Sequence, residues 1–163
     1  MGLLYRLFKV GKMPDAIRSE IARESVLYEA EGIRVALHRR GRVPGAVVAG
    51  GGVSVGLGSL AVTDQRIIGS RGRSKLVDAP YEAKAEGPVA ITLDEHGLHV
   101  VFDLDKVHPS CSGEMKLDFR QELSGEDLSR FPMREMSIAV DPQKVVRLFG
   151  SLKKLPEEGS SSS

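Results

Sequence analysis

The stretch Gly58–Ser70, GSLAVTDQRIIGS, limits what this chain can fold into more than any other. Two runs of strand-forming residues, Leu60–Thr63 and Arg66–Gly69, flank the polar pair Asp64-Gln65. Apolar runs joined by so short a polar link form a tight β-hairpin. The hairpin holds no nucleophile, metal cage or phosphate loop, so it speaks to architecture rather than chemistry.

Strand signals continue on both sides. Ile33, Val35 and Leu37 alternate with polar or small residues and run into His38-Arg39-Arg40-Gly41-Arg42. Val47–Leu57 is an apolar stretch broken by glycines, which suit bulges and sharp bends. A further strand is expected near Lys75–Asp78. Val89, Ile91 and Leu93 alternate, Asp94–Gly97 turns the chain, and Leu98, Val100 and Phe102 alternate back. Met115, Leu117 and Phe119 repeat the period within Glu114–Leu123, and Ser137–Val140 is a last short strand.

Three helices frame the strands. Leu3, Leu4, Leu7 and Phe8 fall at helical spacing, with Arg6, Lys9 and Lys12 mostly off that stripe. Such a cationic amphipathic segment either lies on an anionic membrane or packs on its own domain, and packing is the commoner fate. Pro14–Glu24 places Ile17 and Ile21 one turn apart after a first-turn proline. Asp141-Pro142 then supplies a cap and first-turn proline for a helix to Leu152, whose face is Val145, Leu148, Phe149 and Leu152. The expected architecture is mainly β. It is a bent sheet or partly open barrel of about seven strands, capped by the C-terminal α-helix and preceded by an N-terminal helical extension. Residues 1–29 form the extension, 30–153 the domain and 154–163 a Gly/Ser tail.

The hairpin also carries a resemblance. Gly58, Leu60, Val62, Thr63, Asp64, Arg66, Ile67 and Ile68, followed by a basic loop, resemble the signature of bacterial PH-like domains and the related GRAM domains. Strand order and the final helix extend that resemblance loosely over residues 30–152. It implies a non-enzymatic binding module. In PH domains that bind phosphoinositides the headgroup sits at basic loops, whereas other PH-like domains bind proteins or further copies of themselves.

Charge points the same way. From Ile33 to Val77 eight Arg/Lys face one acid, Asp64, while from Asp78 to Glu135 six face thirteen acids. A split of that size makes surfaces of opposite potential, unless the fold interleaves the two segments. Arg39, Arg40 and Arg42 leave one strand, and Arg71, Arg73 and Lys75 leave the signature hairpin. Brought together, these six residues form a cationic mouth for phosphate oxygens, which arginine engages bidentately. The expected partner is an anionic lipid surface or phosphorylated headgroup. The alternative is a protein-interaction or homo-oligomerisation module without a lipid ligand. Nucleic acid is disfavoured by scarce aromatics and a formal net charge of only +1.

Other chemistries find less support. His96-x-x-His99 and His108-x-x-Cys111 have zinc-like spacing, yet an i, i+3 pair near a strand turn points to opposite faces, so exposed histidines and a free thiol are the better reading. Gly50–Gly52 lacks the Gly-Lys-Ser/Thr of a phosphate loop. Ser110 beside His108 and Cys111 lacks a recognisable orienting group, so no enzyme and no cofactor are expected. A single cysteine suits a reducing, cytoplasmic setting. The uncharged run Val43–Thr63 is too glycine-rich and too alternating for a membrane span. Met1-Gly2 is followed by Arg6 where a myristoylation signal needs Ser or Thr, and neither that lipid nor a cleaved leader is expected.

Overall fold

A computed structural model describes residues 11–43 and 52–148. Its centre is one eight-stranded antiparallel sheet curled into a half-barrel. After helix α1 (Asp15–Ile21) come strands β1 (Val26–Arg42), β2 (Gly52–Thr63), β3 (Arg66–Arg71) and β4 (Ser74–Pro80). A single 3₁₀ turn (Tyr81–Ala83) leads to β5 (Lys84–Asp94) and β6 (Gly97–Asp103). Helix α2 (Leu104–Val107), β7 (Ser112–Arg120), α3 (Gly125–Arg130), β8 (Glu135–Ile138) and α4 (Pro142–Leu148) complete the chain.

The sheet order β4-β3-β2-β1-β7-β6-β5-β8 joins two meanders through the non-local pair β1–β7. The signature hairpin forms as its letters require, with Val62 opposite Ile67 and Asp64-Gln65 left to turn. The second hairpin turns between Asp94 and Gly97. Eight strands are present rather than about seven; Gly52–Thr63 runs as one strand, and Glu135–Ile138, overlapping the expected Ser137–Val140, pairs with β5. β1 also starts earlier than its alternation suggests, at Val26, so the boundary expected between 29 and 30 falls inside a strand. The register shifts between Glu31 and Ile33, where Gly32 takes φ +67°, and that bulge breaks the period-two pattern.

The core face collects Val35 and Leu37 from β1, Leu60 and Val62 from β2, Ile67 from β3, Ile91 and Leu93 from β5, and Leu98 and Val100 from β6. Met115, Leu117 and Phe119 of β7 complete it. Phe119 reaches across the curl to β3: a Cβ on Gly69 would stand 2.5 Å from its ring, so only glycine leaves the ring its room there. Val145 of α4 is fully buried in the same core, while the Leu148 side chain and Phe149 lie outside the described residues.

A second, smaller cluster covers the outer face. Met13, Ile17 and Ile21 pack on Ala61 of β2 and Ile68 of β3. Burying side chains of this size is worth about 1.5–3 kcal/mol each. Polar groups pin this helix to the signature hairpin. Thr63 Oγ1 accepts the backbone N–H groups of Gln65 and Arg66, each at 3.0 Å, and donates to Glu24 Oε1 at 2.7 Å. Arg66 spans the same carboxylate, with Nε 3.2 Å from Oε1 and an Nη 2.9 Å from Oε2. Asp64 accepts the Ser25 N–H at 3.0 Å. The Thr-Asp-x-Arg turn is thus a clamp on the chain that follows α1.

Candidate functional site

The two charge-biased segments are not interleaved. The basic stretch runs from within β1 to within β4, the acidic stretch from the end of β4 to the start of β8, and they also meet where β1 pairs with β7. Within the basic half the six candidate residues divide. Strand residues alternate between faces, so Arg39 follows Val35 and Leu37 on the core side, while Arg40 and Arg42 share the outer face with His38. Arg71 follows Ile67 and Gly69 on the core side of β3.

Arg39 and Arg71 therefore share the core side of the sheet, on strands that flank β2. Arg71 lies across β2, where a Cβ on Gly56 would come within 3.1 Å of its Cδ, and bonds Ser54 Oγ at 2.9 Å. The bare glycine gives the arginine its path. Burial and then the neighbouring Arg71 charge hold the Arg39 guanidinium below its ordinary range. An anion between the two would relieve that repulsion.

The other four candidates do not join this pair on the core side. Arg73 is exposed in the β3–β4 turn beside Gly72. Arg40 stands opposite Glu114 and Arg42 opposite Ser112 on the β7 side. Lys75 faces outward and is engaged by acids, Asp78 Oδ2 at 2.9 Å and Glu20 Oε2 at 3.0 Å. Those pairings share its charge between β4 and α1.

The histidine and cysteine spacing resolves into unrelated environments. His96 is exposed in the β5–β6 turn. His108 is buried, and its Nδ1 accepts both the N–H of Ser110 at 3.1 Å and its hydroxyl at 2.6 Å, a local loop contact. Cys111 is buried, which pushes its thiol up and keeps it in the unreactive form. Among the described residues no three His, Cys, Asp or Glu gather in a metal-holding group.

One cluster escapes sequence reasoning. On the outer face Asp118 of β7 bridges two histidines, His38 Nε2 at 3.3 Å and His99 Nδ1 at 2.8 Å. His99 Nε2 then meets Asp94 Oδ1 at 3.0 Å. The β6–β7 register sets His99 opposite Asp118, a relation no local spacing discloses. With a carboxylate on each nitrogen, His99 donates to both only as the imidazolium. Burial alone would lower its pKa, but the bonds to Asp118 and Asp94 outweigh it and hold it above the ordinary 6.5. Asp94, opposed by its own burial, is held below 3.8 by the His96 N–H and by His99.

A pH dependence follows. The raised histidine contributes stability that is complete below pH 6.5 and is lost as pH rises through its higher folded value. The depressed carboxylate contributes above 3.8 and is lost as pH falls through its lower folded value. Thermal melts should show these two contributions together between pH 4 and 6.5, and His99→Gln should remove the alkaline loss. The effect is small because both groups are partly solvated. An alkaline limb unchanged in His99→Gln would show that another group causes it.

No protein-family model, curated protein or solved structure matches this chain. No helix among the described residues is long and apolar enough to cross a membrane.

Proposed function

We propose that the chain is a non-enzymatic PH-like binding module that receives an anionic, phosphate-bearing group at the end of the half-barrel holding Arg39 and Arg71. The observation that carries this reading is their convergence on one face, with Arg71 threaded over Gly56 and braced by Ser54. Two guanidinium groups on one face suit phosphate, which takes paired N–H donors. The mainly β half-barrel and the buried Val145 of α4 fit the PH-like resemblance, in which a C-terminal helix would cap one end of the curl. The cytoplasmic face of a membrane would present such headgroups.

Co-sedimentation with vesicles, with and without anionic phospholipid, tests the reading. Each cation at an anionic surface is worth about 1 kcal/mol, so Arg39→Ser/Arg71→Ser should weaken binding about thirtyfold. Lys75→Ser should leave it nearly unchanged, because Asp78 and Glu20 already engage that charge. Equal losses from both variants would reduce the site to diffuse surface charge. Wild-type protein that ignores anionic vesicles at low salt, yet sediments as a concentration-dependent oligomer, would replace lipid binding with assembly. The open sheet favours that second reading, since β4 and β8 are its two edges.

A further inference from the structure

The outer face of β2 presents Val53, Val55, Leu57, Ser59 and Ala61 in turn. Its far end is covered: Met13, Ile17 and Ile21 lie on Ala61. Towards the other end, Gly11 is buried against Leu57, where a Cβ on it would stand 3.0 Å from Leu57 Cβ, and its carbonyl accepts the Gly32 N–H at 3.0 Å. Read from Ile21 back to Gly11, the chain therefore travels along β2 towards Gly52. Next on that line are Val55, 50 % exposed, and Val53, 64 % exposed, the two most exposed large apolar side chains among the described residues.

Residues 1–10 lie outside the described residues, and the chain enters the structure at Gly11, above this bare stripe. At about 3.3 Å per strand residue, Val55 and Val53 lie roughly 7 and 13 Å beyond Leu57. Ten residues at helical rise span about 15 Å, enough to reach both. The segment brings the apolar stripe Leu3, Leu4, Leu7 and Phe8 together with the cations Arg6 and Lys9. The groove of about 560 Å³ beside Val53 is lined by Arg39, Arg40 and Lys116 as well as Glu114 and Asp118, so the fit rests on the apolar stripe rather than on charge.

We propose that residues 3–8 lay their apolar side chains over Val55 and Val53, extending along β2 the cover that α1 begins. The occupant is this chain's own N-terminal segment, and the contact is intramolecular. It competes with any use of the same stripe on a membrane, because one apolar face cannot do both.

The test places a thiol at the covered spot of the full chain. Val55→Cys should react with a maleimide about tenfold more slowly than the same thiol in a Leu7→Asp/Phe8→Asp background, at a rate independent of protein concentration. Wild-type protein gives the background of buried Cys111. Circular dichroism checks that the double-Asp variant keeps its sheet. As a second measure free of that variant, Phe8→Cys/Val55→Cys should oxidise to an intrachain disulfide, identified by peptide mapping. Equal maleimide rates in the two backgrounds, with no intrachain bridge, would overturn the proposal. Protection that grows with protein concentration would also overturn it, by showing a second copy on the stripe.

Discussion

Phe119→Ala is expected to cost about 3–5 kcal/mol of folding stability, the largest loss from any single truncation considered. The ring is fully buried in the main core, and it connects the two halves of the sheet by filling the space over Gly69 of β3. Truncation there removes the ring's transfer energy and leaves a cavity, and the two costs add. Urea unfolding gives the number directly, and a loss below about 1 kcal/mol would mean that the ring does not span the curl. A companion measurement isolates the contact. Gly69→Ala alone should cost about 1–3 kcal/mol by overpacking against the ring. Combined with Phe119→Leu, the added methyl should find room and the costs should fail to add, as expected for residues that touch.

Arg66→Ala should cost about 3 kcal/mol, the lower end of the range for breaking a buried pair. The Glu24 side chain is 5 % exposed and Arg66 is 24 % exposed, so the substitution strands a carboxylate that water reaches poorly. Thr63 would still donate to it, but one hydroxyl does not offset a lost bidentate guanidinium. Lys75→Ala, on the same face but with solvent-shared partners, should change stability by less than about 1 kcal/mol. Denaturation of Arg66→Ala, Glu24→Ala and the double variant would measure the coupling. Strict additivity would show that the Thr-Asp-x-Arg turn is not a clamp on the segment after α1.

The same residues show how far local pattern reaches. The β2–β3 and β5–β6 hairpins were legible because both partners, the turn and the alternation sit within a dozen or so residues. The Ile17–Ile21 face was legible for the same reason, although its target was not. β1 was read short because the bulge at Gly32 changes which parity faces the core, and periodicity cannot follow a shift that the partner strand imposes. β8 was legible as a strand but its place on β5 was not, since that depends on a return across α3.

The candidate site divides along the same line. Alternation starts Arg39 on one face of β1 and Arg40 and Arg42 on the other, although Arg39 and Arg40 both line the groove at the strand's end. Nothing in the letters gives Lys75 to Glu20, 55 residues away, or sets His99 against Asp118. Sequence by itself determined the mainly β class, the signature hairpin and the division of charge between halves, because these are properties of neighbours along the chain. Only the tertiary structure decided which charges are already neutralised and which converge. That outcome depends on strand register and on the docking of α1, and both are set by long-range burial rather than by any residue's own preference.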